Sequence, residues 1–375
     1  MLTRTRTMRR CLPLIAAATI LAVNPATAAD HYGLEPQPLK LASAGPLAFG
    51  PDGILFVGDP QAATVHAIDT KAYRPSAAVD PQQAKYEIAD VRAALAKTAG
   101  GEAAEINVVD MAIDHEAGTL LLSITVGDQP ALASVNTDGE AKLINLDKVL
   151  AASRTLADAP EDKVTGEGRR ASNKRLESIT DLAYADGAVL VSGLGGDSPL
   201  STVREIPFPF RDEASSANIE IYHAAHGRSE DYAAIRAFIP INIDGKPSLL
   251  AGFTCTPLVR FSLDSLQAGA KVRGTTVAEL GNRNRPLDMI IYDRDGKTFM
   301  LVTNTARGVM KIDTANVANQ EELTEPVRGG GTAGLPFEQV DSLTGVVQLA
   351  KLGDAHGVIM TESDGKLALS TIELP

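Results

Sequence analysis

"PLDMIIYDRDGKTFMLVTNTARGVMKID", residues 286–313, reads as an apolar run, a polar turn ending in Gly296, a second apolar run, another short turn and a third alternating run. The runs have strand rather than helix length, and the turn glycine supplies the positive φ that tight hairpins require. The same grammar recurs in "PLAFGPDGILFVGD" (46–59), "VVDMAIDHEAGTLLLSIT" (108–125), "ITDLAYADGAVLVSG" (179–193) and "FIPINIDGKPSLLAG" (238–252), with a poorer copy in "VVQLAKLGDAHGVIMT" (346–361). Third strands follow in "TVHAID" (64–69), "LVRFSL" (258–263) and "GVMKID" (308–313), and fourth strands in "NIEIYHA" (218–224) and "TTVAEL" (275–280). A four-stranded antiparallel unit cannot bury both faces alone, so its repetition about every 50–70 residues implies an all-β propeller. Six blades are expected in one domain over residues 30–375, with units long enough to leave room for a seventh.

The last unit runs out after its third strand, "KLALSTIEL" (366–374), whereas "PLKLAS" (38–43) is unassigned. Lending this N-terminal strand to the last sheet would close the ring and remove an open edge. The remaining length goes into a short helix, "VRAALAKTAG" (91–100), a polar excursion at about 150–178, and "PVRGGGTAGLP" (326–336). The last of these lacks the Lys-Ser/Thr and following helix of a phosphate loop and reads as a flexible connection.

The first 29 residues read as an address. Arg4, Arg6, Arg9 and Arg10 precede an apolar stretch from Leu12 to Val23 and the small residues "ATAAD", the pattern of a cleaved secretory signal. Sec export to the periplasm or outside the cell is the expectation, since Met8 and Pro13 depart from the twin-arginine pattern. No later stretch is long and apolar enough for a membrane helix, so no span is expected after cleavage. Losing four arginines and no acids deepens the net charge from −12 to −16, which argues against nucleic acid as a partner. Of two cysteines, Cys11 leaves with the signal and Cys255 stays, so there is no disulfide framework. Cys-x-x-Cys-His is absent, so no covalent haem is carried on this chain.

Three of the hairpins open with an aspartate: Asp110, Asp181 and Asp288. In a propeller the first strand lines the channel, so the three carboxylates should converge at one channel mouth. There they would either hold Ca²⁺ or another hard divalent cation, or accept backbone N–H groups of neighbouring blades and pin the ring.

The hairpin pattern of "PLDMIIYDRDGKTFMLVTNT" resembles the NHL and SMP-30 (gluconolactonase-like) propellers, and it covers the hairpins of about five blades. "TCTPLVRF" and "ELGNRNRPLDM" also resemble a group of secreted bacterial proteins. The lactonase likeness implies a divalent metal held by a Glu, an Asn and an Asp. The matching positions hold Ala44, Leu287 and Thr180, none of which supplies a carboxylate or amide ligand. A quinoprotein dehydrogenase is disfavoured by the absence of Trp, although a propeller subunit supporting such a redox enzyme would not need it.

"GNRNRP" (281–286) and "GRRASNKRLE" (168–177) precede two of the aspartate strands and bring Arg283, Arg285, Arg169, Arg170 and Arg175 toward the same face. Guanidinium groups there would either recognise a carboxylate or phosphate on a ligand, or neutralise the acids. The turn between second and third strands adds Cys255 and Asn304, and His223 and His226 end a fourth strand. A thiol with two imidazoles suits copper or zinc. Against it, residues three apart in a continuing strand point to opposite sides, which leaves an inert buried Cys255 or a Cys255–His226 nucleophile–base pair as alternatives. The expected function is an exported propeller binding a small molecule, ion or protein through Asp110, Asp181, Asp288, Arg175, Arg283, Arg285, Asn304, Cys255 and His226. The alternatives are a lactonase-like hydrolase with a rearranged metal site and a propeller subunit of a periplasmic dehydrogenase complex.

Overall fold

A computed structural model describes residues 32–74, 80–114, 117–168 and 171–375. The expected signal segment, Cys11, Arg169 and Arg170 lie outside the described residues. Six sheets form a ring, each with an antiparallel four-stranded core. Numbered along the chain, the blades have as inner strands Leu47–Phe49, Ile106–Ile113, Asp181–Ala185, Ile235–Ile243, Pro286–Arg294 and Val346–Leu352.

The hairpins form for the reason their turns suggest. Asp186-Gly187, Asp244-Gly245, Asp295-Gly296 and Asp364-Gly365 all place two successive residues in the left-handed region, which matches the twist of the strands they join. Gly tolerates that conformation without a Cβ clash, and Asp is among the few side chains that do so at modest cost.

Each of the six interfaces between neighbouring blades is filled by its own apolar layer. Phe56, Val65 and Val191 fill the layer between blades 1 and 3, for example, and Leu301, Leu349 and Ile359 that between blades 5 and 6. Burial of large side chains in these layers supplies the main drive to close the ring.

The order around the ring differs from the order along the chain. Inner-strand packing runs 1–3–4–5–6–2 and back to 1. After its third strand, Thr64–Asp69, the chain leaves blade 1, crosses blade 2 and pairs Glu87–Ile88 with Lys366–Glu373 as the fourth strand of blade 6. It then forms the helix Val91–Ala99 and blade 2, and returns to complete blade 1 with Val149–Thr155. This corrects the expected closure by residues 38–43, which form no strand; the nearest N-terminal strand, Glu35–Gln37, instead edges blade 1. Packing explains the difference. Tyr86, Ile88, Val91 and Leu95 are buried in the layer between blades 6 and 2, so this segment closes the ring with apolar side chains as well as backbone bonds. The polar excursion expected at 150–178 likewise begins with the fourth strand of blade 1.

Candidate functional site

The inner strands of all six blades line a central cavity of about 460 Å³. Asp110, Asp181 and Asp288 all face it, together with Arg236, Gln348 and Lys351. In blades 2 and 5 the register shifts immediately before the aspartate, whereas Asp181 of blade 3 pairs directly with Ser192. One oxygen of each aspartate accepts the N–H of the residue that follows it, Met111, Leu182 or Met289, at 2.7–2.8 Å. The other accepts an N–H from the next blade: Leu47 at 2.6 Å, Phe238 at 2.7 Å and Leu349 at 2.7 Å.

The pattern is regular. Aspartates on blades 2, 3 and 5 bridge to blades 1, 4 and 6, always in the same direction and at every second interface. The pinning role considered above is therefore present in the structure, and it leaves lone pairs on all three carboxyls. Burial raises the Asp110 carboxyl to about 7. Asp181 and Asp288 are raised well above the usual carboxylate range, first by burial and then by the charge of Asp110, with the backbone N–H bonds acting in the opposite direction.

Around this hub the expected rim is only partly free. Arg283 and Arg285 are exposed, and Arg285 is anchored through its backbone N–H to Thr305 Oγ1 at 3.0 Å. Arg175 is half-buried, with its Nε donating to the Pro160 carbonyl at 2.6 Å. Asn304 is buried: its amide donates to the Val302 and Gly308 carbonyls, and its oxygen accepts from Asn284. It organises two turns instead of projecting from the rim. Arg236, which the sequence reading passed over, lines the cavity and lies 3.5 Å from Glu177.

A second cluster sits between blades 3 and 4. The strand Ser215–His223 ends at His223, and the chain turns at once, with the N–H groups of His226 and Gly227 returning to the His223 carbonyl. The expectation that His223 and His226 point apart assumed a continuing strand; the turn instead folds one ring over the other, with centroids 3.8 Å apart. Opposite them Cys255 and Thr256 have φ of 65° and 57°, the same left-handed pair that elsewhere is Asp-Gly. Cys255 N–H donates to the Asn284 carbonyl at 2.7 Å, and Thr256 Oγ1 to that of Gly281 at 2.6 Å, which holds the thiol toward the histidines. One ring nitrogen of each histidine and the Cys255 sulfur lie within 4.8 Å of one another.

Sequence reasoning missed Glu230, which binds the two rings together. Its oxygens take Nδ1 of His223 and Nδ1 of His226, each at 2.8 Å, and Arg228 Nε adds a third bond at 3.0 Å. Although burial opposes ionisation, these hydrogen bonds hold the Glu230 carboxyl down at about 2. Burial lowers the His223 imidazole against the pull of Glu230. The signal lay in "HAAHGRSE" (223–230): a hairpin through Gly227 sets Glu230 opposite Ile221, diagonal to His223 on the same face.

No protein-family model matches the chain, and no curated protein matches it. Among solved structures it is similar to the PQQ-bound aldose sugar dehydrogenase of Streptomyces coelicolor, at 12% identity over 90% of this chain and 98% of that one, with a TM-score of 0.33. It is also similar to a gluconolactonase of Xanthomonas campestris, at 12% identity over 90% of this chain and 88% of that one (TM-score 0.32), and to the C-terminal WD40 domain of Sif2, at 11% identity over 91% and 98% (TM-score 0.36). The resemblance to gluconolactonase-like propellers is one of fold alone.

Proposed function

We propose that the protein is an exported binding propeller whose ligand site is the mouth of the central channel. Asp110, Asp181 and Asp288 take a hard divalent cation such as Ca²⁺, and the exposed guanidinium groups of Arg283 and Arg285 take an anionic group of a small molecule or protein partner. One observation carries this reading: three carboxyls from three separate blades face one cavity, where burial, and for Asp181 and Asp288 also the charge of Asp110, raises their affinity for protons. A cation of higher charge relieves the same repulsion and uses the lone pairs left by the backbone bonds. The export element of the proposal rests on residues 1–29. Among the described residues no helix is long and apolar enough to cross a membrane.

Calorimetric titration with Ca²⁺, followed by carboxylate-bearing ligands, tests both parts. Asp288→Ala is expected to abolish measurable Ca²⁺ binding, and Arg285→Ala to weaken anion binding. Unchanged binding in either variant would move that function to another surface. The hydrolase and dehydrogenase-subunit alternatives have no residue observation of their own, since Ala44, Leu287 and Thr180 stand where the lactonase resemblance requires ligands.

A further inference from the structure

We propose that His223, His226 and Cys255 form a second, separate centre for a transition ion of the zinc–copper class, with Glu230 as the residue that orients both imidazoles. Nδ1 of each histidine is committed to Glu230, so each neutral ring carries its lone pair on Nε2. Nε2 of His223, a residue only 1% exposed, is buried without a partner. A buried nitrogen left unpaired is costly, and a metal ion would satisfy it.

A carboxylate behind each ligating imidazole fixes the tautomer and strengthens the donor, which is the usual outer arrangement of histidine metal sites. Here one carboxylate serves two rings. In a four-coordinate site with bonds of about 2.0–2.3 Å, ligand atoms stand roughly 3.3–3.6 Å apart. One ring nitrogen of each histidine and the Cys255 sulfur stand within 4.8 Å of one another, so ligation through Nε2 requires the rings and the thiol to close in around the ion. His226 and Cys255 are both on turns and both partly exposed, so they can supply this movement, and the exposed side of His226 gives the ion a path in.

The donor set selects the ion. Two imidazoles and a thiolate favour zinc or copper over Ca²⁺ and Mg²⁺, which take oxygen ligands. Glu279 lies alongside. One of its oxygens accepts the N–H of Ala225, between the two histidines, and the other is buried without a partner. Three protein ligands leave a fourth position for water.

The test uses the full chain, chelator-treated and with its thiol reduced, titrated anaerobically with Co²⁺. The expected result is one equivalent giving thiolate-to-cobalt charge transfer in the near ultraviolet and the strong visible bands of a four-coordinate site, displaced by Zn²⁺ and untouched by excess Ca²⁺. Cys255→Ser should remove the charge transfer, and His226→Ala should weaken Zn²⁺ binding at least tenfold with an unchanged circular dichroism spectrum. Glu230→Gln should weaken it about 10–100-fold, as loss of an outer partner does. Competition with a Cu(I) chelator decides between zinc and copper, and Cu(I) binding lost in the same variants supports the centre equally. Absence of the thiolate band, or equal affinity in Cys255→Ser and His226→Ala, would overturn the proposal. Failure of Ca²⁺ to bind at the channel would leave this result unaffected.

Discussion

Asp288 reaches across a blade boundary to accept the N–H of Leu349 at 2.7 Å, sixty-one residues further along the chain. Asp110 with Leu47 and Asp181 with Phe238 repeat the relationship. Asp288→Ala would leave the Leu349 N–H without its acceptor, and such a loss costs about 1–3 kcal/mol. Urea denaturation at pH 5 should register that destabilisation, with Asp288→Asn, which keeps an acceptor, losing less.

The same three carboxyls set a pH dependence whose sign is unusual for aspartate. Their folded-state proton affinities are raised, so their contribution to stability is complete below the unfolded value near 4 and is lost as pH rises through the raised folded values, about 7 for Asp110. The thermal midpoint of chelator-treated protein should therefore be higher at pH 5 than at pH 8. Asp288→Asn should flatten that slope, since it removes one of the raised groups. A slope unchanged in this variant would mean that the hub is not its source.

Arg204 is almost wholly buried and holds three partners: Asp158 at 2.7 Å and the carbonyls of Ser178 and Leu194. It ties the 156–178 excursion to blade 3. Removing one partner of a buried pair strands the other charge, but Asp158 is 37% exposed and water softens the loss. Asp158→Ala is expected to cost about 1–3 kcal/mol in chemical denaturation, below the roughly 3–5 kcal/mol of a fully buried pair.

The helix Val91–Ala99 buries Val91 and Leu95 in the layer between blades 6 and 2, beside the strand that completes the last sheet. Leu95→Ala should destabilise by about 2–5 kcal/mol, the range for a core leucine. Limited proteolysis of that variant should cut first between residues 70 and 105, the segment that crosses blade 2. An equally stable variant would remove the helix from the account of ring closure.

Hairpins were legible in the sequence because Asp-Gly turns and alternating runs are local signals, and they sufficed for six blades. Ring closure was not. Glu87–Ile88 is a two-residue strand, too short to show alternation, whereas 38–43 alternates and yet forms no strand. The three hub aspartates could be found because each sits at a fixed place in a repeated unit. The histidine pair was misjudged because a strand boundary of one residue decides where His226 points. Glu230 and Arg236 carry no local signal, since their roles depend on a tight turn and on the ring itself.

The most direct test of the hub as a cation site is anomalous diffraction from crystals soaked in Mn²⁺, a hard divalent probe that scatters anomalously. A cation at the hub should give a single strong peak in the central channel within coordination distance of Asp110, Asp181 and Asp288, absent from Asp288→Ala crystals. A channel without such a peak, in crystals that bind Mn²⁺ at another surface, would contradict it.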